Sequence, residues 1–234
     1  MILSELIQRS PIRIFEKSIH GGLKSGEIGI IASRAGIGKT SVLVQLALDK
    51  LLQGKKVIHV SFTQHAHHVI AWYEDIFSEF VGRKNLENAA EVKNETVKNR
   101  VLMNFNQDGM SKNQIIKSLR AMITEGGFNA EAVIIDGFDF SRSGAGSLAD
   151  AKTFARELGL SVWYSCTVNG ESLQCDRRNI PLVVQDFIEL IDVVITLEPG
   201  HDHIALSVSK DRDSFDAKTM AMRLDPKTLL IMDT

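Results

Sequence analysis

The segment Ser33-Arg34-Ala35-Gly36-Ile37-Gly38-Lys39-Thr40 limits what this chain can become more than any other stretch. Glu27 to Ala32 ahead of it is short, apolar and rich in isoleucine, the pattern of a buried strand. The residues from Thr40 to Leu52 behind it carry apolar side chains at helical spacing. A strand that enters a glycine-bearing loop and leaves as a helix is a ready-made anion cradle. Gly36 and Gly38 allow backbone conformations that a Cβ would forbid, so successive N–H groups can converge at the start of the helix. In that geometry Lys39 reaches terminal phosphates, the Thr40 hydroxyl coordinates magnesium, and Ser41 adds a hydrogen bond. The pattern is a Walker A loop with Ser33 where the first glycine is usual. An ordinary glycine turn is the alternative, and the flanking strand and helix argue against it.

The rest of the chain alternates in the same way. A helical face formed by Ile2, Leu3, Leu6 and Ile7 ends at Ser10-Pro11, giving an N-terminal arm over residues 1–20. It reads either as a strap on a neighbouring subunit or as a cover for its own sheet. Residues 21–234 form the main domain. Strands are expected at Val57 to Phe62, Val101 to Phe105, Ala132 to Ile135 and Ser161 to Ser165, with helices at Ala66 to Phe80, Ser111 to Glu125 and Leu148 to Leu158. The polar stretch Gly82 to Asn99 reads as a surface helix or loop. A last helix runs from Pro181 to about Leu190, and strand-like runs follow at Val193 to Leu197, His203 to Val208 and Thr219 to Leu224. The expected class is α/β: a mainly parallel central sheet flanked by helices, with antiparallel strands at the C-terminal edge.

Composition narrows the setting. An apolar fraction of 44% over 234 residues is enough for a buried core, and a net charge of −2 gives no support to a nucleic-acid or anionic-membrane surface. Cys166 and Cys175 form no metal-binding pair and read as reduced thiols. With no membrane-length apolar run and no signal-peptide order, the expected location is the cytoplasm.

Ala132-Val133-Ile134-Ile135-Asp136 is an apolar strand ending in a carboxylate. Many buried strands end so, but beside a phosphate loop Asp136 becomes the best partner for magnesium, through its water shell and from the adjacent strand.

The run Gly21-Gly22-Leu23-Lys24-Ser25-Gly26-Glu27, with the strand and loop after it, resembles the ATPase core shared by RecA, KaiC and DnaB-type helicases, over nearly the whole chain. The resemblance implies a RecA-like fold, ATP and Mg2+ as ligands, and a homo-oligomeric ring or filament with nucleotide at the subunit interface. Ile188-Glu189-Leu190-Ile191-Asp192 before a strand is similar to the region after that family's sensor loop. Lys210-Asp211-Arg212 is similar to the family's Lys-x-Arg element, which implies that Lys210 and Arg212 act in trans on a neighbour's γ-phosphate. A solvated charged turn is the other reading.

The chain departs from the family at two points. Where the family carries a catalytic Glu after the second strand, this sequence has Thr63 and Gln64, and neither accepts a proton as a carboxylate does. Gln64 is the candidate to orient water instead. Glu74 or Asp75 would approach the site only if the alignment were shifted into the next helix. The polar sensor position falls near Ser165-Cys166-Thr167. The expectation is therefore an ATP-binding protein with weak or absent hydrolysis, acting as a nucleotide-gated assembly or interaction module whose protein partner the sequence does not name. An active KaiC-like or recombinase-like ATPase and a DNA replication or repair accessory ATPase are the alternatives. The histidines at 65, 67 and 68, the pair His201 and His203, and the loop arginines Arg177 and Arg178 each admit a functional reading, as metal ligands, substitute base or nucleic-acid contacts, beside the plainer one of a solvated surface.

Overall fold

A computed structural model describes residues 2–62, 65–84, 86–105, 112–170 and 173–233. The chain runs through α1 (Leu3–Gln8), α2 (Ile12–Ser18), β1 (Ile28–Arg34), α3 (Lys39–Leu52), β2 (Val57–Ser61), α4 (Ala66–Lys84), α5 (Ala89–Lys98) and β3 (Arg100–Asn104). It continues through α6 (Lys112–Thr124), β4 (Ala132–Asp136), α7 (Ala145–Leu158), β5 (Ser161–Val168), a 3-10 segment (Leu182–Leu190), β6 (Val193–Pro199), β7 (Ile204–Asp211), β8 (Lys218–Leu224) and β9 (Ile231–Asp233). Among the described residues these strands form one sheet, in the order β3-β2-β4-β5-β1-β6-β7-β8-β9. Neighbours from β3 to β6 pair in parallel, and β6 to β9 pair antiparallel. This is the expected α/β class. No helix among the described residues is long and apolar enough to cross a membrane.

Strand alternation divides the apolar side chains between two cores. Ile31, Val57, Ile134, Trp163, Val193 and Ile195 face α1 to α4. Ile28, Ile30, Ile58, Val60, Val133, Val162 and Val194 face α6, α7 and the 3-10 segment. Both faces are covered, which is why the parallel strands read as continuous apolar runs. Gly29 answers a local demand: a Cβ there would lie 2.4 Å from the Trp163 ring. Trp163 in turn packs edge-on against Phe15 of α2 at 5.9 Å. Of the two readings of the N-terminal segment, the chain has it covering its own α3, since Leu6, Ile12, Phe15 and Ile19 are buried in that core and Arg13 pairs with Asp49.

Three elements differ from expectation. Ser10-Pro11 ends one helix but also starts another. The Ser10 hydroxyl accepts from Ile12 N at 3.2 Å, and Pro11, at φ −56, precedes α2. Of the two readings of the polar stretch before β3, the helix is the one that forms, as α5, whereas the helix expected after Pro181 is wound as a 3-10 segment. β9 has no counterpart among the expected strands, because three residues carry too little pattern.

His59 on β2 is fully buried, with Nδ1 3.1 Å from the Tyr73 hydroxyl, and its Nε2 meets no partner among the described residues. Burial pushes its pKa down to about 4, against the pull of Asp136 and with a further push from Arg100. The neutral ring is thus the folded form. Its contribution is complete above the ordinary histidine value near 6.5 and is lost as pH falls toward 4, an effect of roughly 3 kcal/mol. Denaturant melts of wild type and His59→Leu across that window should show the wild type losing stability faster. Parallel curves would refute the assignment.

Candidate functional site

The loop leaves β1 at Arg34 and enters α3 at Lys39. Gly36 (φ 78) and Gly38 (φ 108) take left-handed backbone. Gly38 is the N-cap of α3 and has no side chain of its own to cap it. The first N–H groups of a helix have no partner within it, so this end carries an unneutralised partial positive charge. Gly38 is also pressed from behind: a Cβ on it would lie 2.6 Å from Leu224 Cδ2.

The side chains named from the sequence divide among distinct tasks. Lys39, 7% exposed, folds back over the loop and donates from Nζ to Arg34 O at 2.7 Å and to Ser33 O and Oγ at 3.2 Å. Burial lowers its pKa, with Cys166 and Asp136 pulling it upward. Thr40 Oγ1 donates to Asp136 Oδ2 at 2.8 Å. Ser41 Oγ does not turn to the loop: it donates to Leu229 O at 2.6 Å. Ala35 and Gly36 are exposed, and Arg34 and Ile37 are half-buried at the rim.

Asp136 does not come from the strand beside β1. β5 lies between them, with Asp136 at the end of β4 level with Ser61. Its position is fixed from both sides. Phe62 N donates to Asp136 O at 2.9 Å, and Gly137 N donates to the buried Ser165 Oγ at 2.7 Å. Ser165, from the sensor stretch, thereby holds the turn after Asp136. Cys166 is buried against Lys39, and burial pushes its thiol up to about 12. Thr167 is exposed.

Among solved structures, the chain is similar in fold to an ATPase domain, with a TM-score of 0.69 over 94% of this chain and 88% of that chain. The fold is RecA-like. Sequence identity across the match is 14%, so the likeness is one of fold alone. No family model matches the sequence, and no curated protein matches it.

In this RecA-like fold Lys210 and Arg212 sit at the other end of the sheet. Asp211 pairs with Val193, which pairs with Gly29 at the start of β1, so the loop is roughly 16 Å away along the strand. Lys210, 6% exposed, donates to Ile188 O and Ile191 O, both at 2.6 Å, and lies 5.4 Å from the Phe215 ring centroid. Arg212 takes left-handed backbone (φ 54) and its guanidinium is saturated. Nε donates to Glu27 at 3.0 Å, Nη2 to Glu27 at 2.6 Å and Gly22 O at 2.7 Å, and Nη1 to Ile19 O at 2.7 Å and to Asp211. A guanidinium has five N–H donors, and all are engaged within the chain. Glu27, despite burial that raises its pKa, ends below the ordinary value because Arg212 bonds its carboxylate. His20 completes the cluster by pairing with Asp211.

Thr63 and Gln64 lie outside the described residues. Glu74 is exposed on α4 and pairs with Lys93 of α5 at 3.1 Å. The rings of His65, His67 and His68 lie 4.0–6.5 Å apart on the surface, and among the described residues no group of three His, Cys, Asp or Glu is placed to hold a metal ion. His203 pairs with Asp202 at 2.7 Å. Arg178 pairs with Asp176 and stacks 4.4 Å over the Phe215 ring, while Arg177 is exposed.

Sequence reasoning missed the residues behind the loop: Gln45, Leu224 and Leu229. One signal was present, since Gln45 interrupts an otherwise apolar run from Val42 to Leu48.

Two substitutions test this geometry. Gly38→Ala should cost more than about 2 kcal/mol, and Leu224→Ala should partly offset that cost in a double mutant by removing the clash but not the backbone strain. Arg212→Ala should lower stability by about 2–4 kcal/mol in denaturant melts without nucleotide, because it removes the cation shared by Glu27 and Asp211 together with the bonds to Ile19 O and Gly22 O. A neutral result would show that the cluster is ornamental.

Proposed function

We propose that this chain binds a nucleoside triphosphate, ATP in the first instance, in the loop from Ser33 to Thr40. The observation that carries the reading is the Thr40–Asp136 pair at 2.8 Å, beside a buried lysine and an uncapped helix start. A hydroxyl and a carboxylate at this distance are oxygen donors suited to one hydrated Mg2+, with Thr40 as direct ligand and Asp136 acting through water. Magnesium would supply neutralisation of charge on the β and γ phosphates. Lys39 would exchange three loop oxygens for phosphate oxygens, and the N–H groups of Gly36 to Thr40 would cradle the chain of phosphates.

Hydrolysis is proposed to be slow or absent. Lys39, Thr40 and Asp136 supply binding, whereas Thr63 and Gln64 occupy the positions at which the resembled family carries its water-activating Glu. Gln64 then orients water at most. Such a protein acts as a nucleotide-gated assembly or interaction module in the cytoplasm: the ligand shifts a conformational balance instead of driving work. A trans role for Lys210 and Arg212 in a ring or filament would require Arg212 to exchange five internal bonds for phosphate oxygens. Light scattering with and without Mg-ATP tests that role.

Calorimetry should show Mg-dependent ATP binding that Lys39→Ala abolishes, with phosphate release near background in both proteins. Absence of ATP binding by the wild type would end the proposal. Robust turnover removed by Lys39→Ala would establish an active ATPase in its place.

A further inference from the structure

Behind the loop, the turn joining β8 to β9 (residues 225–230) rests on the first two turns of α3. The Leu229 carbonyl accepts from Ser41 Oγ at 2.6 Å and from Gln45 Nε2 at 2.9 Å. Gln45 Oε1 accepts from Ile231 N at 2.8 Å, and Nε2 also reaches back to Ser41 O and Oγ at 3.2 Å. One side-chain amide thus pairs with a backbone C=O and a backbone N–H two residues apart, as a neighbouring strand would. β9 needs the help, because it pairs with β8 through three residue pairs, from Met222↔Asp233 to Leu224↔Ile231.

Leu229 takes left-handed backbone (φ 55), a conformation that a leucine adopts only under strain. The neighbours that offset this strain are Ser41 and Gln45, which donate to its carbonyl. The same turn backs the loop itself. A Cβ on Gly38 would lie 2.6 Å from Leu224 Cδ2 and 3.5 Å from Leu229 Cδ2, so little room exists for the loop to shift while the turn stays still.

We propose that Gln45 is a positioning residue that couples the phosphate loop to the β8–β9 turn, so that bound nucleotide and the ordered turn stabilise one another. The coupling rests on the nucleotide-binding reading given above. Ser41 lies in both structures at once. Its backbone belongs to the helix start that faces phosphate, and its hydroxyl holds the turn. Gln45 is one helical turn farther on, 8% exposed, and beyond the Walker A segment. Any effect it has on nucleotide therefore passes through Ser41, Leu229 and the back of Gly38. Coupling of this kind is reciprocal: a ligand that orders the turn is bound less tightly when the turn is loosened.

The test combines calorimetric affinity with amide hydrogen exchange over residues 225–233 of the full chain, free and with Mg-ATP or a non-hydrolysable triphosphate. Nucleotide should slow exchange at Ile231 about tenfold. Gln45→Leu should lose that slowing and weaken binding by about fivefold to tenfold. Gln45→Glu, which still accepts from Ile231 N but cannot donate to Leu229 O, should fall between. A purely structural Gln45 would change baseline exchange and leave the nucleotide response intact. Tight binding by the wild type with unchanged exchange at Ile231, or wild-type affinity in Gln45→Leu, overturns the coupling and leaves the nucleotide reading standing. Failure of the wild type to bind any triphosphate removes both. If Gln45→Leu does not fold, the wild-type exchange response decides alone.

Discussion

Asp192 sits where four segments meet, and its bonds determine where the central strand begins. Its Oδ2 accepts from Ile28 N at 2.6 Å and from the buried Lys152 of α7. Its backbone N donates to Ile28 O at 2.8 Å, and its carbonyl accepts from Arg212 N at 2.6 Å. With the start of β1 set in this way, Gly29 pairs with Val193 and Trp163, and a fixed rise per residue delivers Arg34 and the loop to one height at the far edge. A slip of one residue would turn Ile28, Ile30 and Ala32 into the wrong core and drive a side chain into the Trp163 ring. The loop is therefore positioned by an ion pair at the opposite end of the strand. With Lys152 buried and Asp192 half-buried, the pair is costly to half-remove, above all from the Asp192 side, where the buried ammonium would lose its carboxylate.

The two ends of the sheet treat positive charge differently. At the far end Lys210 is absorbed by two carbonyls, and Arg212 by two carboxylates and two carbonyls. These cations bind the N-terminal segment, β1 and β7 into one body. At the loop end, among the described residues, the partial charge of α3 is left uncapped and Lys39 is held by loop oxygens alone. A cation with all its donors engaged is a structural element, while an uncapped helix start is an opening for a ligand.

What could be read from sequence was what is encoded locally. The loop, its flanking strand and helix, the parallel core strands and Asp136 are legible because glycine placement, apolar runs and terminal carboxylates are short-range signals. α2 is hidden because Ser-Pro marks a stop as readily as a start, and β9 because its partner is in part the side chain of Gln45, far away in the chain. The hydroxyl of Ser41 and the cations of Lys210 and Arg212 could be identified as polar groups, but apart from Asp211 beside Arg212 the acceptors they donate to lie 19 to 193 residues distant, beyond the reach of any motif. Residues 63 and 64, on which the proposal of slow hydrolysis rests, lie outside the described residues.

Lys39 resting on Ser33 and Arg34 gives the loop a threshold. Its ammonium is already surrounded by three oxygens in a site from which water is largely excluded. A small monoanion that touches the lysine alone must displace these oxygens and offers one charge in return. A polyphosphate, the ligand proposed above, would meet the lysine, the helix start and the Thr40–Asp136 pair together, so that several contacts would form as the internal ones are given up. If the loop takes the ligand proposed above, the folded-back lysine would thus act as a filter on ligand length and charge, set before any ligand arrives.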